Sequence, residues 1–241
     1  MSATVALTSA ASLLAASAGA AAYATLWPQS SLCGPVVVAG DQPSQIALTY
    51  DDGPNPAATP QLLEVLASHN VRATFFMIGE FVRKEPGLVR EVAAAGHLIG
   101  NHTMTHPWLA WQSAARIRQE LTGCSHLLED TLGQPIRFFR PPHGARRPYV
   151  LQLARQMGMA AVQWNVTAFD WQPIPAARIL HHLQRGIGYN RRHARASNVL
   201  LHDGGHLGLN QPRLASVQAT AELLKLCEGT RVSWVTPEIW L

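Results

Sequence analysis

The chain has 241 residues, 47% of them hydrophobic and 14% charged, with 19 Lys and Arg against 15 Asp and Glu for a net charge of +4. That is enough apolar material for one large domain and too much for a disordered chain. The positive field is too weak to argue for nucleic acid and leaves anionic surfaces such as cell wall or lipid phosphate open.

The N-terminal end is apolar. The first forty residues hold no Asp, Glu, Lys or Arg. Within them, residues 5–27 (VALTSAASLLAASAGAAAYATLW) are long enough to cross a bilayer as a helix, although Ala and Ser keep the hydrophobicity modest. Ala22-Tyr23-Ala24 resembles a signal-peptide cleavage site, while the basic stretch that usually opens a signal is missing. The expectation is an export or membrane-anchor segment over residues 1–30, and hence a protein of the cell envelope, secreted or membrane-anchored. The other reading is an Ala-rich helix buried in the fold. Cys33 is a poor lipidation site because bulky Leu32 precedes it. Cys33, Cys124 and Cys227 form no CxxC, so no zinc ribbon or disulfide-dense scaffold is encoded; one disulfide is compatible with the count.

After a linker over residues 31–44, strand-like and helix-like stretches alternate. Strands are expected over 46–50, 73–78, 98–100, 136–139, 160–166, 199–201 and 232–235. The first helix opens with Pro60 at a helical first position and carries Leu62, Leu63, Val65 and Leu66. Others are expected over 86–95, 113–132, 147–157, 175–185 and 213–227, with Gly133 and Gly229 as stops. This alternation predicts a parallel α/β sheet with helical crossovers, and seven strands with no two-layer split favour a barrel-like closure. Residues 185–197, RGIGYNRRHARAS, read as a basic, solvated loop, with contact to an anionic polymer or lipid as the second reading.

Polar clusters follow five of the strands: YDDGP, NHTMTHP, RPPHG, TAFDW and HDGGH. In parallel α/β folds such strand ends form one rim. His102 and His106 are four apart, so a helical turn would set both imidazoles on one side. With one carboxylate of Asp51 and Asp52 they would make a two-His, one-carboxylate metal site with positions open for water. Its oxygen ligand admits Zn²⁺, Co²⁺ or another divalent ion. In extended backbone the two carboxylates point opposite ways, so one can bind the metal while the other serves as general base. Arg140 is a natural partner for that base. His202 can protonate a leaving nitrogen if a carboxylate keeps it charged, with Asp170 and Asp203 both candidates.

TYDDGP, NHTMTHP, RPPHG, WNVTAFDW and VLLHDGG resemble, in order, the five motifs of the polysaccharide deacetylases, carbohydrate esterase family 4, also called the NodB homology domain. The resemblance runs from about residue 45 to 237 and makes 45–241 the catalytic domain. It implies a distorted (β/α) barrel of about seven parallel strands and metal-dependent hydrolysis of acetyl groups on polysaccharides. By matching position, Asp51 resembles the general base, Asp52, His102 and His106 the ligands of one divalent ion, zinc first, and Arg140 the residue that orients the base. His202 resembles the general acid and Asp170 its partner. Trp164 and Leu200 match walls of the acetyl pocket, Trp171 joins the substrate contacts, and the backbone N–H of His143 would help hold the oxyanion. Two positions depart from the pattern: His143 stands where Tyr is usual, and Thr167 where Asp is often seen. Neither removes a ligand, base or acid, so the site reads as competent. The implied substrate is an acetylated glycan, an N-acetylglucosamine polymer such as chitooligosaccharide or peptidoglycan. Alternatives are another amide or ester (acetylxylan, a formylated lipid-linked amino sugar) and a non-catalytic glycan-binding relative. Membrane contact would come only through the N-terminal segment; neither nucleic acid nor a protein partner is implied.

Overall fold

The structure, a computed structural model, describes residues 17–241. Its axis is β1 (Gln45–Gly53), buried along almost its whole length. It pairs in parallel with β2 (Thr74–Met77) and β7 (Ser197–His202), and its first residues also pair with β8 (Ser233–Val235). The sheet runs β5–β4–β3–β2–β1–β7–β6, where β3 is Leu98–Asn101, β4 Phe138–Phe139, β5 Ala160–Ala161 and β6 Val166–Thr167. Every pairing among these strands is parallel, so each strand must return through a crossover. Helices α2 (Thr59–Ser68), α3 (Gly79–Lys84), α4 (Pro86–Ala94), α5 (Ala114–Leu132), α6 (Pro148–Gln156), α7 (Ala176–Arg192) and α8 (Leu214–Cys227) supply these returns. The α/β barrel-like architecture read from the sequence is the one found.

The alternation of β1 divides its side chains between two environments. Ile46, Leu48 and Tyr50 join the main core beneath the helices, with Leu62 of α2 and Leu223 of α8 in the same cluster. The Tyr50 hydroxyl meets the Thr220 hydroxyl of α8 at 3.0 Å. Thr49 and Asp51 face the other way, into the curl of the sheet, where Phe76, Phe138 and Val162 form a second small core. Arg140, fully buried, lies over the Phe76 ring at 4.2 Å.

Two expectations change. The strand expected over 160–166 is two strands, because β5 pairs with β4 whereas β6 pairs with β7. Between them the Val162 and Gln163 backbones bond Phe139 and Val37, and Asn165 brackets Asn198 at 2.8 and 3.1 Å. The gap leaves the curl open, and Trp164 sits in it. The basic stretch from residue 185 is helical as far as Arg192, because Ile179, Leu183, Ile187 and Asn190 keep one buried face along α7. Gly186 lets that helix close on β6: a Cβ there would meet Val166 at 2.7 Å. The three cysteines are free.

The N-terminal expectation is also corrected. Residues 17–26 are helical (α1) and mostly exposed. No helix among the described residues is long and apolar enough to cross a membrane. Beyond α1 the chain is clasped by the protein itself. Buried Arg146 donates to the carbonyls of Trp27 at 2.7 Å, Ser30 at 2.5 Å and Pro28 at 3.3 Å, and its backbone N–H bonds the Thr25 carbonyl at 3.1 Å. A guanidinium buried among carbonyls fixes residues 25–30 to the fold, so this part of the expected export or anchor segment packs on the domain and does not span a membrane. Its first sixteen residues lie outside the described ones.

Candidate active site

The strand ends bring the expected clusters onto one rim around a cleft of about 290 Å³. Asp51, Asp52, His102, His106, His143, Trp164, Trp171, Leu200, His202 and His206 line it.

The two aspartates separate by a device the sequence did not show. Asp51 keeps the inward direction of Thr49, and Nη1 of Arg140 donates to both, to Thr49 Oγ1 and Asp51 Oδ1, at 2.8 Å each. Asp52 would turn to the opposite face in regular strand. Instead the register shifts between Asp51 and Gly53, and Asp52 takes a left-handed φ of 69°, a bulge that re-aims the side chain onto the rim. Gly53 is required just after it, since a Cβ there would overlap the Asp203 carboxylate.

The His102–His106 stretch is not a helical turn. Thr103 and His106 have left-handed φ of 67° and 59°, and the loop is held by its own polar groups. Asn101 Oδ1 accepts from Thr103 N at 2.7 Å, and Thr103 Oγ1 accepts from His106 N at 3.0 Å. Glu120 on α5, buried and unnoticed in the sequence, accepts from Thr105 N at 2.8 Å and from the Thr105 hydroxyl at 2.7 Å. The outcome resembles what a helix would give: the two imidazole centroids are 4.9 Å apart.

Metal-ligand atoms of Asp52, His102 and His106 all lie within 4.8 Å of one another. Oδ1 of Asp52 lies 3.2 Å from Nε2 of His106 and 3.5 Å from Nε2 of His102, yet it is buried with no hydrogen bond. A buried carboxylate oxygen left unpaired among imidazole nitrogens is costly without a cation, so these residues fit a divalent ion. Nδ1 of His102 bonds the Arg140 carbonyl at 2.8 Å, which turns Nε2 to the cluster, as ligating histidines require. Burial pushes His106 down to about 2, so its imidazole is neutral and has a lone pair to give. Burial works against ionisation of Asp52, but the imidazoles around it, His102 first and then His106 and His202, hold it well below the usual carboxylate range.

Arg140 is fixed in all directions. Besides Asp51 and Thr49 it donates to the carbonyls of Val162 and Gln163 at 3.2 Å each. Burial lowers its pKa and Asp51 acts against this.

On the other side of β1, His202 faces the cleft. Of its two candidate partners the structure selects Asp170, whose Oδ1 lies 2.8 Å from Nδ1 of His202. Oδ2 accepts the His202 backbone N–H and the Ser216 hydroxyl, each at 2.8 Å. Burial alone would lower the His202 pKa; the charge and hydrogen bond of Asp170, then Asp52 and Asp51, raise it to about 9. Asp203 points away, beneath the turn after β1, where it accepts from the Thr59 hydroxyl. Burial pushes it up to about 7.

Leu200, nearly buried, and Trp164 flank the cleft, and Gly144 makes room for Trp164, since a Cβ there would come within 2.9 Å of the indole. His143 has a left-handed φ of 57°, and burial brings its pKa down to about 4. Its ring stands edge-on to His106 at 4.6 Å. Trp171 stands edge-on to His202 at 5.6 Å. His206 was missed: its ring stacks on His106 at 4.6 Å and its Nδ1 lies 3.9 Å from Oδ2 of Asp52. Its only sequence signal was its place in HDGGH.

Residues 39–162 match the family model described as polysaccharide deacetylase. The chain belongs to the polysaccharide deacetylase family. It is 39% identical over 160 residues to a chitooligosaccharide deacetylase of Bradyrhizobium sp. (strain ANU 289), covering 66% of this chain and 70% of that one. It is 38% identical over 140 residues to a peptidoglycan-N-acetylglucosamine deacetylase of Bacillus cereus, covering 58% of this chain and 51% of that one. Among solved structures, a peptidoglycan N-acetylglucosamine deacetylase superposes with a TM-score of 0.75 at 30% identity, over 85% of this chain and 91% of that one. A carbohydrate esterase family 4 pseudoenzyme from Bacillus anthracis superposes at 0.68 and 26% identity, over 82% and 65%. Like the polysaccharide deacetylases it matches, this chain is a hydrolase of carbon–nitrogen bonds outside peptides.

Proposed function

We propose that this polysaccharide deacetylase removes N-acetyl groups from an N-acetylglucosamine-containing polymer, chitooligosaccharide or peptidoglycan, with release of acetate. One observation carries the reading. Asp51, pinned through Oδ1 by Arg140, stands between the Asp52–His102–His106 cluster and the His202–Asp170 pair. A non-catalytic glycan binder would not need a base, a cation cluster and a charged acid on one rim.

Asp52, His102 and His106 would hold the cation, for which zinc suits the nitrogen-rich donor set and Co²⁺ is the second choice. When bound, such an ion supplies Lewis-acid polarisation of the acyl carbonyl and makes water easier to deprotonate. Asp51 then acts as general base. Arg140 occupies Oδ1, which leaves Oδ2, 3.7 Å from Nε2 of His102, to take a proton from water beside the cluster. The backbone N–H of His143 is the donor for the oxyanion. His202 keeps Nδ1 on Asp170 and gives its Nε2 proton to the departing amine nitrogen, so acetate and a free amino sugar leave. Trp164 and Leu200 bound the space for one acetyl methyl. The test is acetate release from chitooligosaccharides, peptidoglycan and acetylxylan with added Zn²⁺ or Co²⁺. Release from acetylxylan alone would contradict the amide reading.

A further inference from the structure

The motifs leave Trp108 and Trp111 without a role, and their placement gives them one. They are 42% and 68% exposed. Trp108 precedes and Trp111 ends a single 3-10 turn, Leu109–Trp111, that begins three residues beyond His106. In such a turn side chains three apart eclipse one another, and the two ring centroids are 5.1 Å apart. The turn is well anchored: Leu109 is fully buried, and Arg147 donates to the Gln112 carbonyl at 2.7 Å. The backbone therefore holds both indoles out of the core at the cost of leaving large apolar faces wet.

These rings continue the catalytic cleft. Trp108 lies parallel to His143 at 3.9 Å and 12°, and His143 in turn stands edge-on to His106 at 4.6 Å. An unbroken file of rings thus runs from the cation cluster to Trp111. It leaves on the β3 and β4 side of β1, opposite the side on which Trp171 covers His202.

We infer that Trp108 and Trp111 form a stacking platform for a pyranose ring adjoining the sugar that is deacetylated, so that this chain favours longer oligomers. The inference rests on the proposed glycan reading. A pyranose has a flat C–H face to set on an indole and a rim of hydroxyls that stays in water. That amphipathic shape matches an exposed ring that is anchored from below and open above.

The test uses the full chain with Zn²⁺ or Co²⁺ and N-acetylglucosamine oligomers from dimer to hexamer. The platform predicts that kcat/KM rises with length in the parent chain. Trp111→Ala and Trp108→Ala should each reduce the pentamer-to-dimer ratio of kcat/KM by about tenfold, chiefly through KM, with Phe at the same position recovering most of it. Tryptophan fluorescence titrated with pentamer should shift in the parent and lose most of its change in Trp111→Ala. A ratio unaltered by both Ala variants, or a fall equal for every length, would overturn the platform. A parent that binds pentamer through this fluorescence yet releases no acetate would overturn the activity reading and support the platform. A parent that neither binds nor hydrolyses any oligomer would overturn both.

Discussion

Nδ1 of His202 and Oδ1 of Asp170 are 2.8 Å apart, and the second oxygen of that carboxylate takes the His202 backbone N–H and the Ser216 hydroxyl. The carboxylate is saturated by its neighbours and cannot swing away. This is why a largely enclosed imidazole, which desolvation alone would push toward the neutral form, stays charged.

A pH profile follows. The His202 pKa is raised to about 9, so the acid form is present below that value and is lost as pH rises through it. Turnover should hold through neutral pH and fall above about 9. Asp170→Asn removes the main raising charge, and the alkaline limb should move down by about two units toward the ordinary histidine value. The pair's stabilising contribution has the same sign: full below about 6.5, lost as pH rises through about 9. Profiles of kcat/KM for both proteins, with thermal unfolding at pH 6 and 10, check this.

Glu120 touches no proposed ligand, yet it takes both the N–H and the hydroxyl of Thr105 between the two histidines. Glu120→Ala should loosen that loop and weaken metal binding by about 10–100-fold, the range for residues that orient ligands. Competition with a chelator measures it directly. Unchanged affinity would make Glu120 only a helix residue.

Arg140 is buried with Asp51, and its removal would strand a carboxylate. Arg140→Ala should cost about 3–5 kcal/mol of stability, as breaking a buried pair does. Arg140→Met should fold better than Ala, because it fills the space over Phe76, and should still be inactive. Denaturant unfolding and acetate release separate the two effects.

Much of this site was legible because a parallel sheet puts its strand ends on one rim, so the order of polar clusters was already a map. The alternation of Thr49 and Asp51 with Tyr50 also set Asp51 on the face of β1 opposite the one that packs under the helices. What escaped depended on backbone conformation that side-chain patterns do not encode. The bulge at Asp52 and the left-handed Thr103 and His106 replace the pleat and the helical turn expected there. The break between β5 and β6 hangs on the pairing of Asn165 with Asn198, 33 residues apart. Arg146 could not be seen to gather the carbonyls of residues 27–30, because an arginine looks alike whether it meets solvent or backbone. His206 reaches His106 only through a loop fold, so its neighbourhood was invisible in HDGGH.

The central claim is that two adjacent aspartates do different work, Asp52 on the cation and Asp51 on water. It is tested most directly by measuring bound divalent metal and acetate release together in Asp51→Asn and Asp52→Asn. Asp51→Asn should keep its metal at parental stoichiometry while turnover falls by about 10²–10⁴-fold, the usual worth of a positioned base. Asp52→Asn should lose both. Metal lost from Asp51→Asn with Asp52→Asn still loaded, or near-parental acetate release by Asp51→Asn, would contradict the account.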